Sequence, residues 1–282
     1  MTPEEWERSL LAATERVRRN LSRISTKEAR GRTLGMGASG DNTLYADKVA
    51  EDELLKALKG SGDVRILSEE AGLMGDPGAK TLAVVDPLDG SSNFARGIPF
   101  YCTSVAIVEG DTIEDIAVGV VRDLVSGDAY SAVKGKGARR NGARIATASS
   151  SELSKSAVGV DLSKGGAERV KGLAALIGSC KRHVHFGANA LELCYVADGR
   201  TDAFVDLRDR IRITDLAAAY LIASEAGAVI TRADGKGLDG VFDLFHRLSF
   251  VASANEALHR QILGLCGGTG GPKAPPKGRG PP

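Results

Sequence analysis

The chain has 282 residues, with 37 basic against 36 acidic side chains, a balance that argues against wholesale binding to nucleic acid or to an anionic membrane. Its length suits one large domain or two smaller ones around a sizeable core, and no apolar run approaches membrane-spanning length. The four cysteines, Cys102, Cys180, Cys194 and Cys266, are scattered without a CxxC pair, so they read as reduced thiols rather than a disulfide framework or a zinc site. Glu4, Glu5 and Glu7 near the start, with no apolar h-region, argue against a signal peptide and make a cytoplasmic protein the expectation.

In chain order, Thr2 at N-cap, Pro3 at N1 and Glu5 at N3 form a capping box, and Trp6, Leu10, Leu11, Ala13 and Val17 recur at helical spacing. The Gly-rich stretch over 35–40 reads as a flexible break. Residues 41–58 then read as a second amphipathic helix carrying Val49, Leu54, Leu55 and Leu58 on one side. Asp47 lies on or near its other faces, and Glu51, Asp52 and Glu53 are assigned to a solvated face. A short strand over 64–67 runs into Glu69-Glu70, where a neighbouring strand could share a site with the segment that follows. That segment opens with the apolar run Leu82 to Val85, which ends in two β-branched valines and reads as a buried strand. Asp86-Pro87 ends the run, because Pro87 cannot extend a central strand. Asp86 and Asp89 therefore stand where a core strand opens into a loop. Two carboxylates three residues apart repel unless a cation lies between them, and oxygen-only ligands suit hard ions such as Mg²⁺. Gly90 permits close backbone approach, and Ser91-Ser92-Asn93 can cap a helical turn whose free amides attract phosphate.

Residues 101–108, 116–121 and 129–133 read as antiparallel strands. The Lys134 to Gly142 stretch resembles a phosphate cradle, but Asn141-Gly142 is a type I′ signal and favours a hairpin. The second half alternates strand and helix, with a strand over 157–160 ending in Asp161, helices over 168–177 and 189–196, and a strand over 203–206. His183 and His185 share one strand face and, lacking Cys or His partners, are taken as ordinary strand residues. Thr214 or Asp215 is expected to cap an Ala-rich helix that stops at Gly227. A strand and helix over 250–263 close the fold, and the Gly, Pro and Lys tail from residue 267 reads as disordered. The expected organisation is an N-terminal α+β half over 1–153, a C-terminal α/β half over 154–266 and the tail over 267–282.

The string Asp86-Pro-Leu-Asp-Gly-Ser-Ser-Asn93 resembles the DPxDG(S/T)(S/T)N signature of the inositol monophosphatase and fructose-1,6-bisphosphatase superfamily. The resemblance extends in motif order through the Asp47 helix, Glu69-Glu70, Asp215 to Gly227 and the closing Ala-Ser-Ala-Asn255. Thr214 replaces the Trp that usually precedes the family's Asp, a departure expected to affect packing more than ligation. The resemblance implies an α+β fold, the layered αβαβα sandwich, and Mg²⁺-dependent phosphate monoester hydrolysis, often by a homodimer and often sensitive to Li⁺. Mn²⁺ is a candidate substitute.

It further implies that Glu69, Asp86, Asp89, Asp215 and the Leu88 carbonyl hold two or three ions. Ser91, paired with Asp47, would orient and deprotonate a water, and the Gly90 and Ser91 amides would hold the phosphate. Ser92, Asp161 and the basic run Arg208, Arg210 and Arg212 are candidate substrate contacts, the arginines for a second phosphate. The Gly37 to Asp41 stretch resembles the archaeal branch, whose members hydrolyse inositol 1-phosphate and fructose 1,6-bisphosphate. The expected partner is a small phosphate ester. A nucleotide phosphatase acting on adenosine 3′,5′-bisphosphate or NADP, and an inactive metal-binding regulator, are the alternatives.

Overall fold

The computed structural model describes residues 1–266, so the tail assigned from residue 267 lies outside the described residues. Helix α1 (Pro3–Leu21) starts with the expected capping box: Thr2 Oγ1 accepts from the Glu5 amide at 3.2 Å, and Glu5 Oε2 from the Thr2 amide at 2.8 Å. A short α2 (Lys27–Arg30) follows. The Gly-rich stretch is more than a break, because β1 (Thr33–Met36) and β2 (Asn42–Leu44) pair as an antiparallel ribbon around it. The next helix, α3 (Tyr45–Lys59), consequently starts at Tyr45 and not at Asp41.

Strands β3 (Val64–Ser68) and β4 (Gly72–Met74) flank the Glu69-Glu70 turn, and β3 runs parallel to β5 (Thr81–Asp89). After α4 (Ser91–Arg96) come the antiparallel strands β6 (Cys102–Val108), β7 (Ile116–Asp123), β8 (Ala129–Val133), β9 (Ala138–Arg140) and β10 (Ala143–Arg144). Asn141 and Gly142 join the last pair with φ of 52° and 81°, the doubly positive backbone of a type I′ turn. Between Arg144 and Ala157 the chain crosses to a second sheet. Its elements are β11 (Ala157–Val160), α5 (Gly166–Ser179), β12 (Arg182–Val184), α6 (Asn189–Ala197), β13 (Ala203–Ile211), α7 (Ile213–Glu225), β14 (Val229–Thr231), β15 (Leu248–Ser253) and α8 (Glu256–Cys266). The Gly135 and Gly137 amides of the β8–β9 loop do hold an anion, but it is the chain's own Glu225 carboxylate at the end of α7, at 2.6 and 2.7 Å.

The large sheet runs β10-β9-β8-β7-β6-β5-β3-β4 and the smaller one β12-β11-β13-β15-β14. Alternation along β5 sends Ala83 and Val85 to one face and Leu82 and Val84 to the other. The first face packs on Trp6 and Leu10 of α1 and Leu54 and Leu58 of α3. The second meets Leu191 of α6 and Leu216 and Ile222 of α7, which also cover Phe204 and Phe250 of the smaller sheet. The far side of that sheet, Val205 and Val251, packs on Leu173 of α5 and on Leu258 and Ile262 of α8. The layers are therefore α, β, α, β, α, the expected α+β sandwich.

One acid departs from expectation. Glu51, assigned to a solvated face, is 1% exposed, because its carboxylate is used inside the protein by Ser68 and Ala71.

Candidate active site

Ser68 of β3 lies level with Val85 of β5 in a parallel pair, so the next residues, Glu69 and Asp86, project side by side at the strand ends. The third acid comes from the first turn of α7. The N-cap of that helix is Arg212, not Thr214 or Asp215, which puts Asp215 at the third helical position with its carboxylate accepting from the Arg212 amide. Glu69, Asp86 and Asp215 each offer an oxygen within 4.8 Å of the others. They line a cavity of about 420 Å³ together with Leu88, Asp89, Gly90, Ser91 and Ser92.

The strand does not stop at Asp86. Asp86 pairs with Ser104 and Asp89 with Cys102, so β5 carries one more residue than β6 over this interval, and Pro87 sits in the resulting bulge. The bulge is held by the Leu88 amide on Asp86 Oδ1 at 3.0 Å and by Thr103 Oγ1 on the Pro87 carbonyl at 2.7 Å. It re-aims the following residues, so that Asp89 Oδ2 accepts from the Ala190 amide at the start of α6 at 2.7 Å. Gly90 is the N-cap of α4 at φ 84°, and a Cβ there would lie 3.0 Å from the Phe100 carbonyl oxygen. No side chain caps α4, which leaves the Ser91 and Ser92 hydroxyls at the cavity. Asn93, expected to join that cap, instead donates to the Phe100 and Phe186 carbonyls at 2.8 and 2.7 Å.

Burial drives the electrostatics. Desolvation, then the charges of Glu69, Asp89 and Asp215, holds the Asp86 carboxyl well above the usual range. Glu69 is raised well above its ordinary value by desolvation and by Asp215, and Asp215 is raised by desolvation. Asp89 is pushed up to about 8 by desolvation and then by Asp215, against the Ala190 and Asn189 amides. Asp47 is buried and pushed to about 7, mainly by desolvation, while its Oδ2 accepts from the Leu44 amide at 2.6 Å. Among the described residues no hydrogen bond joins Asp47 to Ser91. A cluster of all-oxygen donors strained by its own charge fits a hard divalent cation, whose charge would reverse these shifts.

The candidate substrate contacts separate. Arg212 lines the cavity, with Nη1 2.8 Å from Glu69 Oε1 and Nη2 paired with Asp41. Arg208 faces elsewhere: its Nη2 lies 2.5 Å from both Asp161 and Asp206, and its Nη1 is 2.8 Å from Ser163 Oγ. Arg210 is exposed. Asp161 is buried in that ionic cluster, 3.4 Å from His185 Nε2. His185 lies just past β12, not on it, and its Nδ1 lies 3.0 Å from Glu192, a hydrogen bond that is the first cause of its raised pKa. The sequence reading missed Thr33, Asn42, Glu70 and Lys164 at the cavity wall. Lys164 sits at φ 55°, a left-handed conformation on a loop with no motif to flag it.

Carboxylates from two parallel strand ends and one helix start floor this cavity inside an αβαβα sandwich, a donor set that suits a hard divalent cation. The inositol monophosphatase family matches over residues 6–266, and the chain belongs to that family. It is 40% identical over 271 residues to the fructose-1,6-bisphosphatase/inositol-1-monophosphatase of Methanothermobacter thermautotrophicus, a match covering 92% of this chain and 95% of that protein. It is also 33% identical to the bifunctional NADP phosphatase/NAD kinase of Methanococcus maripaludis, over 85% of this chain and 45% of the relative. A solved inositol monophosphatase–fructose 1,6-bisphosphatase superposes with a TM-score of 0.81 at 32% identity, over 92% of this chain and 99% of that one. The extragenic suppressor protein of Bartonella henselae gives 0.81 at 26%, over 93% and 98%.

Proposed function

We propose that the chain is a Mg²⁺-dependent phosphatase of sugar phosphate monoesters, acting on inositol 1-phosphate, fructose 1,6-bisphosphate or both. The observation that carries this reading is the convergence of Glu69, Asp86 and Asp215, from three separate elements, to within 4.8 Å on a cavity also lined by Gly90, Ser91 and Ser92. Glu69, Asp86, Asp89 and Asp215, with the Leu88 carbonyl, would hold the ions. When bound, Mg²⁺ lowers the pKa of water and stabilises charge on attacking and leaving oxygens, and Mn²⁺ is a candidate substitute.

The chain's own groups do the rest. Asp47, a buried carboxylate, would accept a proton from the attacking water, and the uncapped Ser91 hydroxyl would orient that water. The Gly90 and Ser91 amides would hold the phosphate oxygens as charge builds. Arg212 and Lys164 line the cavity wall and would meet a second anionic group of the substrate. A homodimer in the cytoplasm, with Li⁺ sensitivity, completes the proposal. The NADP phosphatase named among the relatives supports a second reading, hydrolysis of a nucleotide phosphate such as NADP or adenosine 3′,5′-bisphosphate. An inactive regulator would have no use for the complete acid set together with Asp47 and Ser91. Phosphate release from a panel of these esters, with and without Mg²⁺, tests the proposal: sugar phosphates should be cleaved only with the ion, and a preference for nucleotides would favour the second reading.

A further inference from the structure

Glu51 is a buried carboxylate without a place in that mechanism. Its Oε1 accepts from Ser68 Oγ at 2.6 Å and from the Ala71 amide at 2.9 Å. Those two donors bracket Glu69 and Glu70, so one oxygen ties together both ends of the turn that presents the acids to the cavity. The opposite side of the same turn is held by the β1–β2 loop. There the Ala38 amide donates to the Glu70 carbonyl at 2.9 Å and the Ser39 amide to the Glu69 carbonyl at 3.1 Å. Thr43 Oγ1 donates to the Glu70 carboxylate. A Cβ on Gly37 would fall 2.3 Å from Glu70 Oε2 and 2.8 Å from Thr43 Oγ1, so a side chain there would have to displace that pair. Asp47, one helical turn earlier on α3, plays a parallel part by accepting from the Leu44 amide at the helix start.

From this geometry we infer that Glu51 is a positioning residue, holding Glu69 on the cation site through Ser68 and Ala71. A buried carboxyl needs partners, and here two hydrogen bonds converge on one of its oxygens. Without them the Ser68 hydroxyl and the Ala71 amide lose their partner, and the turn loses the anchor on its helix side. Reach matters more than charge, because both donors use one oxygen. Glutamine keeps that oxygen in place and turns only its other end towards Lys48, which lies 3.5 Å from Glu51 Oε2. Aspartate keeps the charge but falls one methylene short.

The test compares Glu51→Gln, Glu51→Asp and Glu51→Ala with wild type in two measurements. Amide exchange of peptides covering 68–72 and 37–41, in metal-stripped protein, reads the order of the turn directly. Mg²⁺ titration of phosphatase activity and of the thermal midpoint reads the consequence, which rests on the metal reading proposed above. Glu51→Gln should match wild type in both. Glu51→Asp and Glu51→Ala should lose protection in those peptides and need about 10–100-fold more Mg²⁺ for half-saturation, as partners of metal ligands typically do. Most of kcat should return at saturating Mg²⁺. The inference is overturned if Glu51→Asp behaves as wild type while Glu51→Gln is impaired, or if Glu51→Ala leaves exchange unchanged. Should alanine fail to fold, the glutamine and aspartate variants still decide it. If wild type itself ignores Mg²⁺, the functional proposal falls, while the exchange comparison still judges Glu51.

Discussion

Replacing Asp89 by asparagine should make the metal-free protein more stable and the enzyme far less active. The asparagine amide keeps an oxygen for the Ala190 amide, now 2.7 Å from Asp89 Oδ2, so packing is preserved. What changes is charge. The Asp89 carboxyl is pushed from 3.8 to about 8, by desolvation and then by Asp215. A raised carboxyl binds its proton in the folded state where the unfolded chain has already lost it. Stability therefore falls as pH rises from about 4 towards about 8. At pH 7 the gap from the unfolded value is about three units, or about 4 kcal/mol as an upper bound at 1.36 kcal/mol per unit. Sharing of that strain among Asp86, Glu69 and Asp215 reduces the part removable at one residue to about 1–3 kcal/mol. For a chain of this size that corresponds to a rise of about 2–10 °C in thermal midpoint. The assay is a set of thermal scans across this pH range in chelator and then in Mg²⁺. Wild type should show the downward slope in chelator, Asp89→Asn a flatter one, and Mg²⁺ should stabilise wild type more than the variant. Turnover of the variant should fall at least as far as the 10–100-fold loss seen for groups that merely support ligands. A variant no more stable than wild type near neutrality in chelator would refute the picture of an electrostatically strained site.

Lys164→Ala should raise KM for fructose 1,6-bisphosphate about tenfold and leave inositol 1-phosphate nearly unchanged, since a charged contact to phosphate contributes about 1.5 kcal/mol; equal changes on both substrates would remove Lys164 from specificity. Arg208→Ala should instead lower the thermal midpoint, because it abandons Asp161 and Asp206 in a buried cluster, at a cost of about 3 kcal/mol; unchanged stability would contradict that placement. His185→Gln should lower stability at acid pH only. The raised folded pKa of His185 means its contribution is full below about 6.5, the unfolded value, and is lost as pH rises through the folded one. A midpoint difference that stays constant with pH would rule this out.

Much of the layered fold could be read from the chain because its elements carry local signals. The capping box at Thr2, the Asn141-Gly142 turn and the apolar run Leu82 to Val85 each act within a few residues. The three acids of the cavity were legible for a similar reason, standing beside strand ends or helix starts within recognisable strings. The readings that failed depended on distant contacts. Glu51 sits in a run of acids that looks like a solvated face, and only Ser68 and Ala71, 17 and 20 residues away, draw it inside. Arg208 belongs to a basic run whose members part company at the irregularity between Asp206 and Ile211, where Asp209 takes φ 53°. Pro87 looked like a strand end, whereas a bulge lets the strand continue through it to Asp89.

The most direct test is phosphate release from inositol 1-phosphate and fructose 1,6-bisphosphate as Mg²⁺ is titrated into metal-stripped protein, comparing wild type with Asp86→Asn and Asp215→Asn. The expected result is no turnover without the ion, saturable activation of wild type, and losses of at least about a hundredfold in both folded variants at the same Mg²⁺. Turnover in chelator, or near wild-type activity in either variant, would contradict the assignment of these carboxylates to the metal site.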